Sequence, residues 1–267
     1  MARESVRELA EDVGRKAVAG VAEVGLGSAL FAESLAWTVA VQTRRQPVRL
    51  RAVLEQAMEI GVNALPIVAA LSLAVGAMVA IQGIYTLRIF GAESKVTLGI
   101  ALSVTREFAP LITGILIAGR SGSSLAARLG TMKINEEINA LTVMGINPVR
   151  FLVAPPLLAM IVMGPVLTWF SDCVAMLGAG VYVTSQLGTT MGAYLGELQA
   201  ACRVGDVMHG LGKSGIFAVL IAMIGVVNGL SVTGGAEGIG RATTRAVVHG
   251  ISAIVITDML FAYLVTR

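Results

Sequence analysis

The sequence predicts an all-α integral membrane protein, with an N-terminal interfacial helix, about five transmembrane helices and a short cytoplasmic helix between the second and third of them. Hydrophobic residues make up 55% of the 267 and charged residues only 14%, and mean hydropathy is +0.80, a balance foreign to soluble domains. Apolar runs recur at the length of about 20 residues that crosses roughly 30 Å of hydrocarbon. Runs of that length in lipid are helices, because a helix satisfies its backbone groups within its own segment.

In chain order, residues 1–50 form a cytoplasmic or interfacial helical segment and 51–267 the membrane domain. Charges alternate through the start (Arg3, Glu4, Arg7, Glu8, Glu11, Asp12, Arg15, Lys16). No short apolar core with a small-residue cleavage site follows, so no cleavable signal is expected and the start stays in the cytoplasm. Residues 17–41 are nearly uncharged, yet Glu23 and Glu33 are costly at membrane depth, and Arg44, Arg45, Arg49 and Arg51 follow at once. An interfacial helix and a crossing both remain open there.

The first span covers about 60–87, uncharged from Ile60 to Leu87 and stopped by Arg88. The second covers about 96–119, interrupted by Arg106 and Glu107 and bent at Pro110, which removes one backbone bond. The third, about 151–187, is overlong and contains Pro155, Pro156, Pro165 and Asp172, so it is kinked or tilted. A glycine-rich stretch between Gly188 and Asp206 reads as a loop or a short surface helix. The fourth span, about 207–230, offers Gly225 and Gly229 as a small-xxx-small contact face. A glycine-rich turn from Thr233 to Gly240 leads to Arg241 and Arg245, and the fifth span covers about 246–265 with His249 and Asp258 inside it. No internal repeat is evident.

Eight Lys and Arg fall in residues 1–51, four in 120–150 and two in 241–245, against Arg88, Lys95, Arg203, Lys213 and Arg267 on the other side. With five spans the positive-inside rule puts the N-terminus and the 120–150 segment in the cytoplasm and the C-terminus outside. Cys173 and Cys202 give neither a disulfide framework nor metal-ligand spacing and read as packing residues. A net charge of +3 spread in this way does not point to nucleic acid.

The most informative stretch is polar. Ile134, Ile138 and Leu141 recur at i, i+4 and i+7 while Lys133, Glu136 and Glu137 occupy other faces, which is the helical period. Thr131 can cap the start, and Gly145 with Pro148 is a stop signal; about 15 residues at 1.5 Å each give a rod of roughly 22 Å. A solvated loop helix would carry the same pattern, but one held between two apolar spans is also placed to touch a soluble partner. Arg106 and Glu107 project about 100° apart on their helix, so each needs a partner of its own. They could be structural pairs to neighbouring helices or a site for a charged group. Asp172 and Asp258, inside apolar spans, are functional candidates by default or acceptors from a nearby Ser, Thr or Tyr.

Two short strings mislead. Gly119-Arg120-Ser121-Gly122 matches an intramembrane serine-protease string, with His249 as the base it would need, but it sits where the helix turns basic. Gly212-Lys213-Ser214 imitates the end of a phosphate loop, but Val207 stands where that loop requires glycine. Without HExxH, paired cysteines or a nucleotide fingerprint, no catalytic residue, metal site or ATP hydrolysis is expected in this chain.

The run REFAPLITGILIAGRSGSSLAARLGTMKINEEINALTVMGINPVRFLVAP, from Arg106 to Pro155, resembles the MlaE family, and GAEGIGRATTRAVVHG, from Gly235 to Gly250, resembles that family's C-terminal motif. The likeness covers roughly residues 50–267. Members often have Gln, Asp and Asp where this chain has Glu137, Asn139 and Asn147, and some carry an acid at position 142, which is Thr here. These permeases serve ABC transporters that work with MCE-domain proteins. The resemblance implies that the segment matching Gly130–Pro148 is a coupling helix, about 131–145, docked on a cytoplasmic ATPase through Lys133, Glu136, Glu137 and Leu141. It further implies that Arg106, Glu107 and Phe108, with Ile81 and Tyr85 of the first span, line a lipid pocket, Arg106 meeting the headgroup. The implied assembly is a homodimer in a bacterial inner membrane with two ATPase copies that bind the ATP, an MCE-domain protein and phospholipid as substrate; a STAS-domain protein is a further candidate partner. A proton-coupled secondary carrier using Glu107, Asp172 and Asp258 is the alternative from another class.

Overall fold

The computed structural model describes residues 2–39 and 49–265; Arg44, Arg45 and Arg267 lie outside the described residues, as do the side chains of the charged residues at 3–16. Every element among the described residues is helical. Five helical runs are long and apolar enough to cross a membrane: Leu50–Ile89, Glu93–Ile134, Val149–Leu187, Val204–Leu230 and Gly235–Leu264. Each contains one expected span. The N-terminal helix α1 (Ala2–Val39) is not among them. It rests on the bundle through its second half, where Leu30 and Ser34 are buried and Gly27 faces Val227. Glu33, one of the two acids that made a crossing costly, accepts from Asn147 Nδ2 at 2.9 Å and Trp37 Nε1 at 3.3 Å.

The first run starts with an amphipathic helix, α2 (Leu50–Ile60), passes one 3-10 turn at Val62–Ala64, and continues as α3 (Leu65–Ile89). A left-handed Gly91, φ 63°, ends it, with Ala92 N–H bonded to Leu87 O and Gly91 N–H to Arg88 O, the paired bonds of a Schellman cap. The second run comprises α4 (Val96–Ser103), α5 (Ala109–Ile117) and α6 (Ser123–Ile134), joined by π-turns at Val104–Phe108 and Ala118–Gly122. It was expected to end near 119. Instead the helix passes the π-turn at 118–122 and continues through its basic stretch to Ile134.

The segment after α6 also departs from expectation. A single rod from Thr131 is replaced by the end of α6, a break at Asn135–Glu136, and a shorter α7 (Glu137–Val143). Glu136 is left-handed at φ 58°, which no continuous helix tolerates. Thr131 caps nothing: its Oγ1 donates back to Ala127 O at 3.0 Å inside α6. The stop signal behaves as read, with Gly145 at φ 75° and Ile146 N–H bonded to Leu141 O at 2.9 Å.

The third run passes a π-turn at Val149–Val153 into α8 (Ala154–Leu187), with Pro165 inside it. The glycine-rich stretch folds as a short surface helix, α9 (Met191–Ala201), capped by Thr190, whose hydroxyl accepts from Ala193 N–H at 3.2 Å. Helix α10 (Val204–Leu230) follows, and α11 (Gly235–Val265) begins eleven residues before the expected start at 246. Gly234 and Gly235 take left-handed conformations, at φ 85° and 73°, and the helix starts there, so Arg241, Thr243, Thr244 and Arg245 lie within α11 and do not cap it.

Small residues bring the helices close, as they must where lipid tails are as apolar as leucine. Gly76 of α3 sits against the Ala175 backbone of α8, and Gly178 of α8 against the Leu73 backbone, so even a methyl group would collide at either position. Ser72 and Ser171 share a hydroxyl bond of 2.7 Å between the same helices. Gly225 and Gly229 pack α10 onto the π-turn at Gly122 and onto α6 at Leu129, the face their spacing announced.

Candidate functional site

Two places stand out: a buried charged cluster at mid-bundle and the exposed turn between α6 and α7. The cluster begins with Pro110. Proline has no N–H, so the carbonyl four residues earlier, that of Arg106, loses its helical donor. Lys213 of α10 supplies one: its Nζ donates to Arg106 O at 2.8 Å. The same ammonium meets Glu107 Oε2 at 2.6 Å and Asp258 Oδ1 of α11 at 2.6 Å. Two N–H groups thus serve the Arg106 carbonyl and Glu107, Asp258 adds an ion-pair contact without a hydrogen bond, and the Lys213 side chain is fully buried. Arg106, pointing elsewhere, donates from Nε to Asp206 Oδ1 of α10 at 2.8 Å, and its Nη2 bonds the same oxygen. A π-turn and two helices are held by charges that would be prohibitive in lipid if unpaired.

Arg106 and Glu107 therefore each have the separate partner their 100° divergence demanded, and both keep partial exposure. Phe108 beside them is half-buried. Ile81 and Tyr85 lie one turn apart on the open face of α3, 46% and 67% exposed; no hydrogen bond or ion pair joins them to the cluster. Asp258 is an ion-pair partner and not a hydroxyl's acceptor. Asp172 is buried in α8 with neither carboxylate oxygen hydrogen-bonded among the described residues; Ser171 next to it is spent on Ser72.

Sequence reasoning missed Lys213 and Asp206. By charge bias alone Lys213 groups with the outside cations, and Gly212-Lys213-Ser214 reads only as a false phosphate loop. The available signal was depth: an ammonium inside an otherwise apolar span is expected to face a partner.

At the α6–α7 turn the expected residues divide. Lys133 turns inward, its Nζ donating to Leu230 O at the end of α10, and Leu141 is buried in the core. Glu136 and Glu137 stay exposed, held by local bonds from Asn139 and Asn135. Beside them Val143 is 88% and Met144 64% exposed, an apolar tip that the charge pattern did not flag. Among the described residues no group of three or more metal-ligating side chains could hold a metal ion.

A family model described as Permease MlaE matches residues 53–264. A probable ABC transporter permease protein of Rickettsia conorii is 33% identical over 256 residues, covering 96% of this chain and 97% of its own length. The intermembrane phospholipid transport system permease protein MlaE of Haemophilus influenzae is 32% identical over 75% of this chain and 77% of its own. A probable ABC transporter permease protein of Synechocystis is 37% identical over 80% and 81%.

Proposed function

The chain belongs to the MlaE family of permeases, and from that premise we propose that it moves phospholipid between the inner membrane and an MCE-domain partner, driven by a separate ATPase. The observation that carries the coupling is the tip from Glu136 to Met144, which combines two exposed carboxylates with uncovered Val143 and Met144. Such a tip suits the groove of a soluble subunit, and positive-inside bias puts it in the cytoplasm with the N-terminus.

One helical run, Glu93–Ile134, reaches from the approach to that tip to the Arg106–Phe108 turn. Its two π-turns give it places to bend. ATP binding in the ATPase would close two copies of that subunit, displace α7, and pass the motion along α6 and α5 to the charged turn. In a homodimer the open face of α3 bearing Ile81 and Tyr85, together with Phe108, would supply apolar wall, and Arg106 a guanidinium for the lipid phosphate. A STAS-domain protein would bind on the cytoplasmic side. The carrier alternative is weaker, since Glu107 and Asp258 share one buried ammonium and a proton relay would break the pairs that join three helices.

Glu136→Lys combined with Glu137→Lys tests the coupling. Like charges across an interface cost several kcal/mol, so ATPase copurification and lipid transfer should each fall about tenfold or more, while membrane insertion stays normal. Unchanged association and transfer in that double variant would overturn the proposal.

A further inference from the structure

The groove between α2 and the start of α8 is a second polar site, far from the mid-bundle cluster. Arg49, Arg128 and Arg150 line a cavity of about 380 Å³. Glu55, the carboxylate on its wall, is already bound by Arg51 at 2.9 Å. Past Gln56 and Arg128 the cavity continues into another of about 260 Å³ that adds Arg120 and two serines; Glu59 there accepts from Gln56 at 3.3 Å. Arg49 and Arg128 make no ion pair among the described residues. Arg49 lies over the Phe151 ring at 5.1 Å and Arg150 over Trp37 at 5.9 Å. Stacking fixes the Arg49 guanidinium plane and leaves its N–H edge for an anion.

The groove sits at the edge of the hydrocarbon. Gly229, next to the last residue of α10, packs on Leu129, so Arg128 is level with the end of a span. On α2, Leu50, Leu54 and Met58 form an exposed apolar stripe at four-residue spacing, while Ala52, Glu55, Gln56 and Glu59 of the opposite side line the groove. An amphipathic helix so arranged lies in the interface with its apolar stripe toward acyl chains, which puts the groove at headgroup level. Planar guanidinium forks match phosphate oxygens two at a time.

We propose that this groove binds a phosphate-bearing anion through Arg49 and Arg128. The anion is either the headgroup of an anionic phospholipid or a free phosphate compound at the membrane surface. The site does not depend on the transport reading, and neither reading falls with the other.

The test uses the full chain in phosphatidylcholine nanodiscs. One arm adds phosphatidic acid to the bilayer and reads its enrichment around the protein by mass spectrometry; the other titrates inorganic phosphate. Saturable uptake in either arm, weakened about fivefold for each guanidinium lost in Arg49→Gln and Arg128→Gln but not in Arg88→Gln, supports the site. Whichever arm responds names the source. Phenylglyoxal footprinting of the unsubstituted protein gives a readout free of folding defects: ligand should shield Arg49 and Arg128 and leave Arg88 reactive. Uptake in neither arm, or uptake and footprints indifferent to Arg49 and Arg128, overturns the proposal.

Discussion

Removing the ammonium of Lys213 would strand the carboxylates of Glu107 and Asp258 and the carbonyl of Arg106 in a dry region. Breaking a buried pair on one side costs more than the pair contributed, about 3–5 kcal/mol. Lys213→Met should therefore lower the thermal midpoint of the detergent-solubilised protein sharply. Adding Glu107→Gln and Asp258→Asn should recover most of the loss, because no charge then stays uncompensated. A single variant as stable as the parent would show the cluster to be slack. Tyr194 of α9 offers a pH readout. Its side chain is buried against Gly180 and its hydroxyl donates to Met176 O at 3.0 Å; burial pushes its pKa up from 10.0 to about 12. The folded state thus keeps a proton that the unfolded chain releases, so stability contributed by Tyr194 is full below pH 10 and drains as pH rises toward 12. The difference in stability between parent and Tyr194→Phe should shrink over that window, and a pH-independent difference would refute it.

Among the elements, α3 and α8 are locked by glycines facing backbone. Gly178→Val must drive a branched side chain into the Leu73 backbone of α3, and overpacking of this kind costs about 1–3 kcal/mol or more. Size-exclusion and thermal profiles of Gly178→Val should deteriorate where those of Gly192→Val do not, since a Cβ at Gly192 meets nothing within 4 Å. Equal behaviour of the two would mean that the helices are loosely apposed. The partner of Gly178 could not be read from the chain, whereas the Gly225 and Gly229 face could, because a spacing of four puts two small residues on one side of one helix. The α6–α7 break was illegible for a different reason. Apolar periodicity runs on through Ile134 and Ile138, and the left-handed residue is Glu136 and not the asparagine before it.

For the molecule as a whole, the decisive quantity is orientation. With Cys173 and Cys202 changed to serine, Met144→Cys and Thr190→Cys place single thiols at opposite ends of the bundle, one on the α7 tip and one capping α9. An impermeant maleimide added to intact cells should tag Thr190→Cys alone. Labelling at Met144→Cys would invert the topology and carry the tip out of reach of any cytoplasmic ATPase.

Span number, the stop at Gly145 and the α10 contact face were determined by the sequence itself, because hydropathy, capping and small-residue spacing act within a few turns of one helix. Tertiary structure alone decided that Arg106 answers Asp206, a hundred residues away, and that Lys213 closes the carbonyl opened by Pro110 while holding Glu107 and Asp258. A charge buried in lipid must find a partner, but which helix brings that partner is fixed only when the helices pack.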